Sequence, residues 1–281
     1  TSLWSRVTTS VVRVAERLFF WTFTGVWADG FWLRELVTLR PEMRRSMPDS
    51  ARFCGLARAR RGTFRKPKMP SLRQIIAAHA PLLVIDAAAT RVQVGWLTDG
   101  EVGTARWSTS DDDTGVGLFT SLAALGVAID AANALVFCDG PGSVLGIRTC
   151  AMALRTWNVL KPRPMFSYCS LAVVAHALGR PDIGVIADAR RELWHHFTLG
   201  GSLRRVPVAE LRGELVMPEN FRHWSQPPPG LTSIPYSLAE LLPRVIDADL
   251  CRPTDAPDAF LHEEPSYVTW TAKIHRAPSA T

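Results

Sequence analysis

From Pro81 onward, apolar runs alternate with polar turns in a pattern that predicts an α/β chain. Leu82, Leu83, Val84 and Ile85 form a continuous apolar run ending at Asp86, as expected of a central strand buried on both faces. A second strand is expected from Val92 to Leu97. Asp99-Gly100 then marks a hairpin turn into a third strand, about Glu101 to Trp107. The acidic run Asp111, Asp112 and Asp113 complements the positive end of a following helix, with Val116, Phe119, Leu122, Ala123 and Leu125 expected on its inner side. A strand from Ala134 to Cys138, a turn at Asp139-Gly140-Pro141-Gly142 and a helix from Val144 to Leu160 come next, with Ser143 as the helix N-cap.

That last helix has one clearly polar sector, which holds Arg148 and Arg155. Leu145, Met152 and Val159 flank the sector on one side and Ile147, Ala151 and Leu154 on the other, while Gly146, Cys150, Ala153 and Trp157 line the back. A helix apolar over so much of its circumference cannot turn its outer side to water, so it is expected to be sandwiched between its own sheet and a partner. The small residues at the back permit close approach. The pattern leaves open which of the three apolar sectors meets the partner; the expected partner-facing set takes the back face and the loop before it, Gly140, Pro141, Gly142, Ser143, Gly146, Cys150, Ala153 and Trp157.

Further along, Pro164 to Tyr168 reads as a strand, and Ser170 caps a short helix through Leu178. The theme then restarts: an apolar strand from Ile183 to Ala187, a polar turn at Asp188-Ala189-Arg190-Arg191, and a paired strand from Glu192 to Leu199. Two related lobes are implied, residues 69–180 and a smaller one at 181–281. The stretch from Gly200 to Pro235, rich in Pro and Arg, reads as largely irregular, and Ser237 to Val245 suits a helix.

Charge separates the first quarter of the chain from the rest. The net charge is +6, yet residues 1–68 carry 14 Lys and Arg against 5 Asp and Glu, so the remainder is slightly acidic. That quarter also holds four of the ten tryptophans, Trp4, Trp21, Trp27 and Trp32. It reads as a basic aromatic arm for RNA, as a membrane-surface helix, or as either sequence upstream of a natural start at Met69 or a poorly ordered extension. The apolar run Leu18 to Ala28 is short for a membrane span. Five widely spaced cysteines without a C-x-x-C pair predict reduced thiols and a cytoplasmic chain.

Candidate chemistry is sparse. Three consecutive aspartates, Asp111 to Asp113, do not converge on one metal ion without help from elsewhere, and His195-His196 in a strand point to opposite faces and cannot chelate together. Ser143 with His176 and Asp188 offers a serine hydrolase as an alternative, although the loop is not a G-x-S-x-G elbow. A kinase-like ATPase is the other alternative: Gly140 to Gly142 resembles a phosphate cradle, but Pro141 removes one amide donor.

Three segments carry a family resemblance. Asp139-Gly140-Pro141-Gly142-Ser143-Val144-Leu145-Gly146-Ile147-Arg148 resembles the glycine-proline-glycine-serine loop and following helix of the TsaB (YeaZ) family. Ile186-Ala187-Asp188-Ala189-Arg190-Arg191 is similar to that family's aspartate-alanine-arginine turn, and Leu83 to Thr90, with Asp86, stands where its first strand lies. Pro265-Ser266-Tyr267-Val268 is similar to its C-terminal segment. The resemblance implies a two-lobed ribonuclease-H-like, actin-like fold with mixed sheets and a degenerate nucleotide site. It implies no catalytic residue, cofactor or metal in this chain. It implies as partners a TsaD-like catalytic subunit and a TsaE-like ATPase, a homodimer being the alternative, and tRNA reached through the complex and not a membrane. Ala87, Ala88 and Ala89 depart from the family's hydroxyl-bearing residues, which puts phosphate binding after Asp86 in doubt.

Overall fold

The computed structural model describes residues 69–98 and 105–260. The expectations for residues 1–68, for the Asp99-Gly100 turn and for Pro265 to Val268 lie outside the described residues.

Helix α1 (Leu72–His79) opens with a capping box, in which the Ser71 hydroxyl accepts from Gln74 N–H and the Gln74 side chain accepts from Ser71 N–H. Strands β1 (Leu82–Asp86) and β2 (Val92–Leu97) pair antiparallel, as do β2 and β3 (Arg106–Ser110). Helix α2 (Thr114–Leu125) leads to β4 (Ala134–Gly140), which pairs parallel with β1. Helix α3 (Val144–Leu160) leads to β5 (Met165–Cys169), parallel to β4, and α4 (Ser170–Leu178) then leaves the sheet. β1 thus lies between β2 and β4 with every residue buried, which explains its unbroken apolar run.

The second sheet repeats this plan. β6 (Ile183–Asp188) pairs antiparallel with β7 (Leu193–Phe197), and β7 with β8 (Arg204–Pro207); β9 (Glu214–Pro218) is parallel to β6, and β10 (Thr232–Ile234) to β9. The order β8-β7-β6-β9-β10 matches β3-β2-β1-β4-β5 in position and direction. The stretch expected to be irregular therefore supplies three strands. Each is three to five residues long and bounded by Gly or Pro, so no alternating pattern announces it. β3 also begins later than expected, at Arg106.

Helix α4 packs against β4 and β5 of the first sheet and β6 and β7 of the second. Seven of its nine residues are buried, among them Leu171, Val173 and Val174. One continuous core joins the lobes through it. After β10 the chain returns to the first lobe: α5 (Leu238–Arg244) packs on α4, and β11 (Arg252–Pro253) pairs with β5 at the sheet edge. The segment 236–260 was expected in the second lobe and is shared with the first. No helix among the described residues is long and apolar enough to cross a membrane.

Candidate functional site

Ser143 caps α3, its hydroxyl accepting from Gly146 N–H at 3.2 Å. The glycines before and after it serve contact within the chain. A Cβ on Gly142 would lie 2.5 Å from the Ala88 carbonyl oxygen, and one on Gly146 would lie 2.5 Å from that of Ala87, so the loop and the helix start are pressed against the segment after β1. Ser143 N–H donates to Ala88 C=O at 2.7 Å, and the Ser170 hydroxyl donates to Pro141 C=O at 2.5 Å. Ser170 is thus the first helical residue, not the expected cap. Two positions of the would-be phosphate cradle offer no free amide: that of Ser143 donates to Ala88 C=O, and Pro141 has none.

The faces of α3 divide differently from the expectation. Cys150 and Ala153 are 2% exposed, Trp157 is 8% exposed, and Gly146 is buried with them, as are Gly140 and Pro141 of the loop. The back face belongs to the core, where Phe119 of α2 meets Trp157 edge-on and Thr114 lies beside Gly146. This corrects the assignment of those residues to a partner, because a helix that rests on its sheet through small residues uses up the face they line. The polar sector is tied down by ion pairs but stays exposed: Arg155 donates from Nε to Pro257 C=O at 2.7 Å, and both Arg148 and Arg155 pair with Asp258. One apolar seam stays open. Leu145, Met152 and Val159 follow one another at heptad spacing and are 68%, 52% and 83% exposed, and Val144 and Leu160 extend the seam at its ends. On neighbouring α2, Val116 and Ala123 are exposed instead of facing inward, while Leu118, Leu122 and Leu125 form the inner side.

The candidate polar residues do not assemble into one centre. Asp86 is fully buried and accepts from the hydroxyls of Tyr168 and Tyr236, each at 2.7 Å, and from Ala88 N–H at 2.8 Å. Burial raises its pKa, and the hydrogen bonds oppose the rise. Asp139 pairs with Arg252 at 2.5 Å beside β11. Asp188 accepts from the amides of Arg190, Trp224 and Ser225. Of the proposed triad, Ser143 caps its helix, the His176 ring bonds to Ala172 C=O one turn back, and Asp188 is held by amides; none bonds to another. Asp111 pairs with Arg91 and Asp112 with Ser110, while Asp113 makes no side-chain cap, so the acidic run is local surface structure. Among the described residues no three metal-ligating side chains converge. The two residues that sequence reasoning missed are Tyr168 and Tyr236, whose partner lies 82 and 150 residues away.

Twice-repeated sheets, each an antiparallel meander of three strands followed by two strands parallel to its first, define a two-lobed ribonuclease-H-like protein of the actin-like class. Among solved structures the chain is similar to YeaZ from Pseudomonas aeruginosa, at 18% identity over 64% of this chain and 99% of that one, with a TM-score of 0.46. It is also similar to an uncharacterised protein with similarity to peptidase YEAZ from Pseudomonas aeruginosa, at 20% identity over 57% of this chain and 88% of that one, with a TM-score of 0.45. No family model matches the sequence, and the search of curated proteins returns no match.

Proposed function

We propose that this chain is a TsaB-like, non-catalytic partner subunit that docks a TsaD-like catalytic subunit through α3 and supports threonylcarbamoyl transfer to an anticodon-loop adenosine of tRNA, a TsaE-like ATPase joining the complex. The observation that carries the reading is the open apolar seam Leu145, Met152 and Val159 on a helix whose opposite side is buried in the core and whose polar sector is ion-paired to Asp258. A contiguous apolar strip on a surface helix is an association site, since leaving it in water costs about 25 cal/mol per Å² of apolar area that a partner would cover. The glycine-proline-glycine-serine motif has a structural role in this reading: it sets the angle at which α3 leaves the sheet. Free thiols at Cys138, Cys150, Cys169 and Cys251 suit a reducing cytoplasm.

The test is co-expression with the host's TsaD-like subunit followed by size-exclusion chromatography. Wild type should co-elute with it, and Met152→Glu should not. A homodimer that ignores that subunit, yet is broken by the same substitution, would assign the seam to self-association. Labelling of Ser143 by a fluorophosphonate probe would instead revive the hydrolase reading.

A further inference from the structure

The β6–β7 turn has a build that docking through α3 does not use. Arg190, Arg191 and Glu192 follow one another at φ 60°, 54° and 59°, a left-handed run that side-chain-bearing residues rarely adopt. One carboxylate fixes it: Asp188 accepts from Arg190 N–H at 2.5 Å and, on its other oxygen, from Trp224 N–H at 2.5 Å and Ser225 N–H at 2.7 Å. The turn and the segment 222–225 are thereby held side by side. Backbone strain kept in place in this way is a feature of ligand clamps and functional turns.

What the two segments present together is an aromatic platform ringed by cations. Trp224 is 62% exposed, whereas the described tryptophans Trp96, Trp107, Trp157 and Trp194 are buried or half-buried. The Arg190 guanidinium lies over its ring, 4.5 Å from the centroid. Arg191, Arg222 and His223 are exposed in the same two segments. Among the described residues Arg190, Arg191 and Arg222 have no ion-pair partner. Glu192 is the one carboxylate of the turn not already held by backbone amides.

We infer that this surface of the second lobe binds single-stranded nucleic acid, with an unpaired base stacked on Trp224 and backbone phosphates on Arg190, Arg191 and Arg222. Every base offers a flat π-face to an exposed indole, and guanidinium groups match phosphate oxygens in a fork geometry. An acidic peptide would satisfy the arginines but leave the indole in water, so the pairing of the two features favours a nucleic acid. The inference does not depend on the α3 seam, which lies on the other lobe.

The experiment is fluorescence anisotropy of the full chain with a short labelled single-stranded RNA, with DNA of the same sequence and an RNA duplex as further probes. Because the basic residues 1–68 add their own attraction, the readout is the difference between variants. Trp224→Ala should weaken single-strand binding roughly tenfold, Trp224→Phe should recover most of the loss, and duplex binding should not respond to either. Replacing Arg190, Arg191 and Arg222 together by Ala should reduce the slope of log affinity against log salt by about 2, three phosphate contacts at about 0.7 each. The inference is overturned if Trp224→Ala, folded by circular dichroism, binds like wild type, or if wild type does not bind the single strand. It is equally overturned if a poly-glutamate peptide competes for the arginines while Trp224→Ala changes nothing, which would make this an acidic-peptide site. None of these results bears on co-elution with the TsaD-like subunit.

Discussion

Asp86 and Asp188 occupy matching places, at the ends of the first strands of their lobes, and use their carboxylates in opposite environments. Asp86 is sealed in the core, where the two tyrosine hydroxyls tie β1 to β5 and to the entry of α5. Asp86→Ala strands both hydroxyls and the Ala88 amide, so unfolding in urea should show a loss of about 3 kcal/mol. Asp188 is half-buried. Burial pulls its pKa up, but the amides of Ser225, Trp224 and Arg190 and the Ser225 hydroxyl together hold it below the ordinary value. An acid with a lowered folded pKa contributes stability that is present above its unfolded value, about 3.9, and is lost as pH falls through the folded value. The urea midpoint of wild type should therefore drop on acidification below about pH 4, and Asp188→Asn should drop less. Asp86, whose pKa is raised, has the other sign: its contribution is greatest at low pH and is lost as pH rises through its folded value. Both aspartates stand out in the sequence by position and motif. What no local pattern carries is the environment that separates them, because the tyrosines and the 222–225 segment arrive from distant parts of the chain.

Helix α3 shows how far periodicity reaches. Its length, its cap and its nearly all-round apolar character are legible in the residues, and the helix runs Val144–Leu160 as expected. Which apolar face is the core was not legible, because the sheet that selects the face is assembled from β1, β4 and β5, and their register is unknown from one helix. The small-residue face reads equally well as a place for a partner helix or for the helix's own sheet, and the carbonyls of Ala87 and Ala88 decide for the latter. Ala153→Glu buries a charge at a position 2% exposed and should unfold the chain or cost several kcal/mol, seen as loss of the cooperative thermal transition. Gly146→Ala should cost about 1–3 kcal/mol, since backbone and not a yielding side chain blocks the added methyl group. Met152→Glu, at an exposed site, should change stability by no more than about 0.5 kcal/mol. Strands β8, β9 and β10 were illegible for a different reason. They are short, and the described crossovers that join them to their neighbours contain no α-helix to mark the βαβ rhythm.

The two lobes share a topology but not an equipment of helices. The first lobe carries α2 and α3 alongside its sheet, whereas in the second a short 3-10 turn at Val208–Glu210 stands where α2 stands in the first. α4 and the continuous core fill the junction, and among the described residues most of the exposed large apolar side chains lie on α2 and α3 of the first lobe. The repeat was legible from two strand-turn-strand patterns, each opening on an apolar run that ends in aspartate. The return of the chain after β10 was not, because β11 is two residues long and joins the first sheet by position alone. In the proposed function the seam on α3 is covered by another subunit. Size-exclusion chromatography of the chain co-expressed with the TsaD-like subunit separates the outcomes. Wild type should elute as a joint complex, and Met152→Glu should elute as a folded chain separate from that subunit. A Met152→Glu chain that still co-elutes, or a wild type that never does, would contradict it.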